Sequence, residues 1–217
     1  MNIIFDLDGT IIDSSNGIYK AYVESIKNII QPTKKKYFIS KIGPPIQEII
    51  RDLHPCIKSS DLEMARKAFR IIYDNELFLD FNKYEQIDKV IRKLATTHRC
   101  FVVTNKPTCP SKVILDKLDL NDCIKEVIGV DFYNKKGQSK SMNLTNLIKN
   151  FSLDVNKCIY IGDTLSDYLC AKKNRISFLG FKGGYYNWSI NDIEQIQNFY
   201  NSPKEIFDKL KTIIVKS

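Results

Sequence analysis

Short apolar runs alternate with longer amphipathic stretches along the chain. The apolar runs lie at 3–5, 101–103, 127–129, 159–161 and 176–179, and a last strand is expected over 197–200. Most are apolar at successive positions, which is typical of strands buried on both faces of a parallel sheet. The stretches between them have helical spacing, at 84–97, 110–118, 142–151 and 165–173, with a final helix after Ser202. The pattern predicts an α/β fold with a doubly wound, Rossmann-like parallel sheet and right-handed crossovers.

The first crossover is too long for a single helix. A strand-helix-strand unit needs roughly 30 residues, yet the whole segment 6–100 separates the first two strands. That segment carries helical patterns at 18–30, 45–53 and 61–78, and a Gly-Pro-Pro turn signal at 43–45 precedes the second. We therefore expect a core domain made of residues 1–13 and 83–217, with an α-helical cap, residues 14–82, inserted into it.

Composition narrows the function classes. The 217 residues are 43% hydrophobic, as in an ordinary globular protein. The net charge of +8 comes from scattered lysines and arginines, so we expect a solvated surface and no nucleic-acid partner. No apolar run approaches the roughly 20 residues that cross a bilayer, so no membrane partner is expected. The cysteines form no C-x-x-C pair, which argues against structural zinc and favours a reducing, cytoplasmic setting.

Acidic residues follow two of the predicted strands. Asp6 and Asp8 come directly after the first, and Gly9 allows a sharp turn there. Asp163 follows the strand at 159–161, and Asp167 comes four residues later in the first turn of the next helix. Taken singly, each pair has a plainer interpretation: an acidic turn for the first, and a helix cap with a dipole partner for the second.

Two weaker features complete the set. Thr104-Asn105-Lys106 follows the strand at 101–103, where a hydroxyl and backbone amides suit a phosphate, although a polar loop would look the same. Lys140 lies in a polar segment, with Lys135 and Lys136 close by. Because open α/β sheets bind ligands beyond the carboxyl ends of their strands, we expect these groups to converge.

Charge indicates what such a site would lack. Asp6, Asp163 and Asp167 are anionic, and so is a phosphate ester, so the site needs cations. Lys140 supplies one, and carboxylate oxygens are the hard ligands that Mg²⁺ prefers.

The motifs resemble those of the haloacid dehalogenase (HAD) superfamily. Four of them occur in the family's order: Phe5-Asp6-Leu7-Asp8-Gly9-Thr10, Thr104-Asn105-Lys106, Lys140, and Gly162-Asp163 with Asp167. The insert between the first and second motifs looks like the helical cap called C1 in this superfamily. Residues 103–107, Val-Thr-Asn-Lys-Pro, and residues 42–45, Ile-Gly-Pro-Pro, look most like the phosphoglycolate phosphatase branch.

The resemblance implies a role for each motif residue. Asp6 would attack phosphorus and form an aspartyl-phosphate. Asp8 would protonate the leaving alcohol and then activate water. Thr104 and the backbone amide of Asn105 would hold phosphate oxygens, and Lys140 would pair with Asp6 and the phosphate. These are the positioning and charge-neutralising roles that phosphoryl transfer needs.

The resemblance also implies a cofactor. Mg²⁺ would bind the Asp6 carboxylate, the Asp8 carbonyl oxygen and the Asp163 carboxylate, with Asp167 supporting the metal or its waters. The second aspartate of the first motif argues against dehalogenation, since dehalogenases of the family lack it.

The cap residues are expected to contact the leaving group. Many relatives carry a basic residue after the Gly-Pro-Pro turn, where this chain has Gln47. Lys41 and Arg51 are nearby cations that could replace it, and the alternative for each is a position on a solvated helix face. We expect a Mg²⁺-dependent phosphatase acting on a small phosphorylated metabolite, as a monomer or weak dimer. A sugar phosphomutase of the same fold and a non-enzymatic phosphate- or partner-binding protein are the alternatives.

Overall fold

A six-stranded parallel sheet forms the centre of the molecule. The computed structural model describes residues 1–133 and 139–214. In chain order, the strands of the described residues are β1 Asn2–Phe5, β2 Ile12–Asp13, β3 Asn82–Lys83, β4 Arg99–Val103, β5 Ile124–Ile128, β6 Cys158–Gly162, β7 Ser177–Phe181 and β8 Phe199–Tyr200. Strands β2 and β3 form a separate pair, and the other six form the main sheet. The main sheet has the order β5-β4-β1-β6-β7-β8, and all of its pairings are parallel.

The described residues form helices of two groups, those of the core and those of the inserted segment. They are α1 Ser15–Ile26, α2 Lys35–Ile39, α3 Ile46–Leu53, α4 Ser59–Asn75, α5 Ile87–Ala95, α6 Thr108–Lys117, α7 Lys140–Asn150, α8 Leu165–Lys173, α9 Ile190–Ile196 and α10 Ile206–Ile214. Helices α5, α6 and α10 cover one face of the main sheet and α7, α8 and α9 cover the other, whereas α1 to α4 belong to the inserted segment. In the part of the chain that the structure describes, no helix is long and apolar enough to cross a membrane.

The two faces of the sheet bury separate clusters because successive strand residues point in opposite directions. Ile3 belongs to a cluster with residues of α5, α6 and α10, among them Ile91 and Leu210. Ile4 belongs to a second cluster that includes Leu144 of α7 and Ala171 of α8. The predicted doubly wound α/β core is confirmed.

A small antiparallel ladder joins the inserted helices to the sheet. Strand β2 pairs with β3, Ile12 opposite Lys83 and Asp13 opposite Asn82. Helices α1 to α4 lie between these two strands in the sequence and share a third apolar cluster. The boundaries of the cap at residues 14 and 82 stay a prediction.

Some elements differ from the sequence-based expectation. The short helix α2, the helix α9 and the ladder of β2 and β3 were not predicted. The first cap helix lies at Ser15–Ile26 rather than over 18–30, and α4 ends at Asn75 before a single 3₁₀ turn at Leu77–Leu79. The two-residue strands and the short helices are too brief for a periodic pattern to mark them.

Candidate active site

The carboxyl ends of three adjacent strands bring the motif residues together. Strand β1 ends just before Asp6, β4 just before Thr104 and β6 just before Asp163. Because β4 and β6 pair with β1 on its two sides in parallel register, these residues meet at one edge of the sheet. The convergence is the one expected for the switch point of an open α/β sheet.

Three carboxylates form a buried cluster at this edge. Oxygens of Asp6, Asp163 and Asp167 lie within 4.8 Å of one another. Asp163 accepts hydrogen bonds from the Thr10 hydroxyl, at 3.1 Å, and from the backbone N–H of Tyr185, at 2.8 Å. The cluster is therefore held by the loop after β1 and by the loop after β7.

Asp167 is fixed by the start of its own helix. The Thr164 backbone N–H donates to Asp167 Oδ2 at 3.0 Å and the Asp167 backbone N–H donates to the Thr164 hydroxyl oxygen at 3.3 Å, which together form a capping box on α8. The Thr164 hydroxyl also donates to Asp167 Oδ2, at 2.8 Å. The helix cap of the plainer interpretation is therefore Thr164, with Asp167 in the first turn, and the other oxygen of Asp167 still faces the cluster.

Two glycines allow the chain to pass close to Asp163. Gly9 has a φ of +84°, and a Cβ built on it would lie 2.3 Å from an Asp163 oxygen. A Cβ on Gly184 would lie 2.2 Å from the Cβ of Asp163. Glycine supplies both the left-handed backbone at position 9 and the space at both positions.

Lys140 is the cation of the cluster. It is the first residue of α7, and its buried ammonium lies 2.8 Å from Asp6 Oδ2 and 2.6 Å from Asp167 Oδ1. Burial alone would lower the pKa of Lys140, but Asp167 and Asp6 raise it above its ordinary value. The alternatives Lys135 and Lys136 lie outside the described residues.

The cluster carries more negative charge than Lys140 neutralises. Burial raises the pKa of Asp6 to about 7, with Lys140 opposing the rise and Asp167 adding to it. Burial, followed by repulsion from Asp167 and Asp6, also raises the pKa of Asp163 well above its ordinary range. Within the described residues, Asp6 Oδ1 is buried and has no hydrogen-bond partner. A hard divalent cation fits this set of oxygen donors, because it would satisfy the orphaned atom and offset the charge.

Asp8 has a separate set of partners. The ammonium of Lys106 lies 2.9 Å from Asp8 Oδ1 and 3.1 Å from Oδ2, and the Ser14 hydroxyl also donates to Oδ1. Lys106 Nζ donates in addition to the Tyr73 hydroxyl on α4, at 2.6 Å. Burial alone would lower the pKa of Lys106, but Asp8 and Tyr73 raise it above its ordinary value, so the residue is an ammonium.

The second motif continues toward the cap. Thr104 is buried, and its hydroxyl accepts a hydrogen bond from the Lys106 backbone N–H at 3.2 Å. The Asn105 side chain donates to the Gly43 carbonyl at 2.8 Å. The side chain of Asn105 therefore contacts the cap, while its backbone lies beside Thr104.

A cavity of 340 Å³ lies between this edge of the sheet and the helices α1, α3 and α4. Asp6, Asp8 and Thr104 line one side of it. The other side is apolar and basic, with Ile18, Ile42, Ile46, Ile49, Phe69, Arg66 and Arg70 among its lining residues. The volume falls within the range that small-molecule pockets occupy.

The cap residues predicted from the sequence divide into two groups. Gln47 lines the cavity. Among the described residues that line it, neither Lys41 nor Arg51 is present. The Lys41 ammonium instead forms an ion pair with Asp52 at 2.7 Å, and Arg51 is exposed on α3.

Sequence reasoning missed four polar residues that line the cavity: Arg66, Arg70, Tyr73 and Lys106. On α4, positions 66, 69, 70 and 73 have the spacing of one helix face, so their common orientation was readable from the sequence. Lys106 belongs to the second motif, but the family resemblance implies no role for it. Nothing in the sequence indicated which partner this face of α4 would meet.

Comparison with known proteins identifies the family. Residues 3–181 match the model of the haloacid dehalogenase-like hydrolases. A phosphoglycolate phosphatase of Colwellia psychrerythraea is 26% identical over 223 residues, which cover 98% of this chain and 95% of that protein. A 5′-nucleotidase of Pseudomonas aeruginosa is 24% identical over 194 residues, which cover 85% of this chain and 83% of that protein.

Solved structures share the fold. A haloacid dehalogenase-like hydrolase of Streptococcus pneumoniae superposes with a TM-score of 0.85 at 22% identity, over 96% of this chain and 97% of its own. A predicted phosphatase of Clostridium acetobutylicum gives a TM-score of 0.86 at 23% identity, over 97% of this chain and 98% of its own. With the match over residues 3–181, the chain belongs to the haloacid dehalogenase-like hydrolases and is a phosphatase, an enzyme that hydrolyses phosphoric monoesters.

Proposed function

We propose that the enzyme hydrolyses a small phosphorylated metabolite through an aspartyl-phosphate on Asp6, with Mg²⁺ as its cofactor. One observation carries the proposal. Asp6 is buried at the wall of the cavity with Oδ2 held by Lys140 and Oδ1 unpartnered, and Asp8 and Thr104 line the same cavity. A phosphate ester in this cavity would therefore meet a nucleophile, an acid/base and a phosphate-binding hydroxyl.

The reaction has two chemical steps, and residues of this chain have a role in each. In the first, Asp6 attacks phosphorus, the bond to the leaving oxygen breaks, and Asp8 gives its proton to that oxygen. In the second, Asp8 takes a proton from water, the water oxygen attacks phosphorus, and the bond to Asp6 breaks. Thr104 and the backbone amide of Asn105 hold phosphoryl oxygens, and Lys140 pairs with Asp6 and the phosphoryl group throughout.

Asp6, Asp163 and the Asp8 carbonyl oxygen would hold the metal, and Asp167 would support it. When bound, Mg²⁺ supplies positive charge that neutralises the carboxylates and the phosphoryl oxygens. The three clustered carboxylates and the orphaned Asp6 Oδ1 support this assignment.

The cavity favours a leaving group that carries an anion of its own. Arg66 and Arg70 lie one turn apart on α4 and both line the cavity. Each is paired with an exposed carboxylate, Arg66 with Glu63 and Arg70 with Asp74, and exposed partners are readily exchanged. Phosphoglycolate, which gives several relatives their name, is a phosphate ester with a carboxylate and belongs to this class.

Replacing Asp8 by asparagine tests the two-step mechanism. p-Nitrophenolate leaves without needing a proton, so Asp6 should still be phosphorylated, whereas hydrolysis of the intermediate loses its base. With p-nitrophenyl phosphate and Mg²⁺, we expect a burst of about one p-nitrophenolate per site and then turnover slower by about 10²–10⁴-fold. Intact mass spectrometry should detect one added phosphoryl group.

The matched control is the double variant Asp6→Asn/Asp8→Asn, which should give neither the burst nor the mass change. Turnover of the Asp8→Asn variant at the wild-type rate, or an adduct that persists in the double variant, would refute the assignment. The wild-type enzyme is assayed for free phosphate in the presence of an added sugar, and transfer to the sugar without free phosphate would indicate a phosphomutase instead.

A second experiment tests the cavity as the leaving-group site. Arg70→Met should lower kcat/KM for phosphoglycolate at least about 10-fold more than for p-nitrophenyl phosphate, because a charge-assisted contact is lost with the first substrate only. Gln47→Ala should also change the ratio of kcat/KM for phosphoglycolate to kcat/KM for p-nitrophenyl phosphate. Arg51→Met is the matched control, since Arg51 lies outside the cavity, and its ratio should stay at the wild-type value. Equal losses on both substrates would place specificity elsewhere.

A further inference from the structure

A single buried lysine connects Asp8 to the cap. The side chain of Lys106 is only 3% exposed, and it lies between Asp8 of the core and Tyr73 of helix α4. An ammonium group has three donors. Two of them reach Asp8 Oδ1 and Oδ2, and the third reaches the Tyr73 hydroxyl, so the whole donor set of Lys106 is satisfied.

We propose that Lys106 is a positioning residue for Asp8, and that Tyr73 makes this positioning depend on helix α4 being seated over the site. The inference rests on the proposed function, in which Asp8 is the acid that protonates the leaving group. It gives a role to Lys106 and Tyr73, which have none in the proposed mechanism.

The geometry explains how the lysine acts. Contact with both carboxylate oxygens fixes the plane of the Asp8 carboxylate, and the Ser14 hydroxyl adds a further contact to Oδ1. Low exposure strengthens these contacts, because little water competes for the charges. Asp8 is therefore held at one orientation at the wall of the cavity, where the leaving oxygen of a bound ester would lie.

Tyr73 supplies the link to the cap. Without its hydroxyl, one donor of a buried ammonium would lack a partner, which is costly. The adjacent Asn105 side chain bonds the Gly43 carbonyl, so two consecutive residues of the loop after β4 are tied to the inserted segment.

The experiment compares two substrates of nearly the same shape, phenyl phosphate and p-nitrophenyl phosphate. Phenolate is the poorer leaving group and depends more on a proton from Asp8. Lys106→Met should lower kcat/KM for phenyl phosphate at least about 10-fold more than for p-nitrophenyl phosphate. Tyr73→Phe removes one oxygen and keeps the ring. It should lower kcat/KM for phenyl phosphate about threefold more than for p-nitrophenyl phosphate.

Tyr19→Phe is the matched control, because its hydroxyl bonds the Thr33 carbonyl within the cap segment, and it should leave both rates unchanged. Equal losses on the two substrates in both Lys106→Met and Tyr73→Phe would overturn the inference, since phosphate binding or general destabilisation affects both alike. If thermal unfolding shows that Lys106→Met does not fold, Tyr73→Phe decides alone.

Asp8→Asn is measured in parallel to separate the two proposals. If it discriminates strongly against phenyl phosphate while the Lys106 and Tyr73 variants do not, the inference fails and the proposed function stands. If Asp8→Asn itself loses both substrates equally, the acid assignment in the proposed function fails, and the positioning role fails with it.

Discussion

Replacing Asp6 by asparagine should lower phosphatase turnover by at least about 1,000-fold while the protein remains folded. The substitution keeps the shape of the side chain but removes the attacking charge. Asparagine also leaves Lys140 paired with Asp167, so the buried ammonium keeps a carboxylate partner. Steady-state release of p-nitrophenolate gives the turnover rate, and thermal unfolding of the same preparation shows whether the protein is folded.

Asp119→Asn is the matched control for this experiment. Asp119 has an 89% exposed side chain and a left-handed φ of 51°, which asparagine accepts readily, so the same chemical change there should leave both turnover and unfolding at wild-type values. If Asp6→Asn kept more than about a tenth of the wild-type rate, Asp6 would not be the nucleophile.

The core of the site was predictable because it depends on strand ends. Asp6, Thr104 and Asp163 each follow an apolar run, and parallel strands with right-handed crossovers bring such positions to one edge. Lys140 came instead from the family resemblance, since one lysine in a basic chain has no distinguishing pattern. The structure places Lys140 beside Asp6, where the resemblance required it.

The cavity wall was less predictable because it depends on how helices pack. Helical spacing shows that Arg66, Arg70 and Tyr73 share a face of α4, but the partner of that face is set by tertiary packing. Gln47 and Arg51 are also one turn apart on α3. A rise of about 1.5 Å per residue moves Arg51 roughly 6 Å along the axis, and only Gln47 reaches the cavity.

Removing divalent metal should abolish activity. With excess EDTA, turnover should fall below about 1% of its starting value, and added Mg²⁺ should restore it. Ca²⁺ should inhibit, because it prefers more ligands at longer distances and would displace the reacting groups. Full activity in EDTA would exclude the proposed metal role.

The individual carboxylates should differ in how strongly they bind the metal, which is measured by calorimetric titration of Mg²⁺ without substrate. Asp167 already accepts three hydrogen bonds, from Lys140 and from the backbone and hydroxyl of Thr164, so Asp167→Asn should weaken binding by only about 10-fold. Asp163 accepts one bond on each oxygen and keeps more lone pairs for a cation, so Asp163→Asn should weaken binding by at least about 100-fold. The same loss in both variants, or a larger loss in Asp167→Asn, would make Asp167 the direct ligand. Since the titration contains no phosphate ester, its result is independent of the nucleophile and of the leaving group.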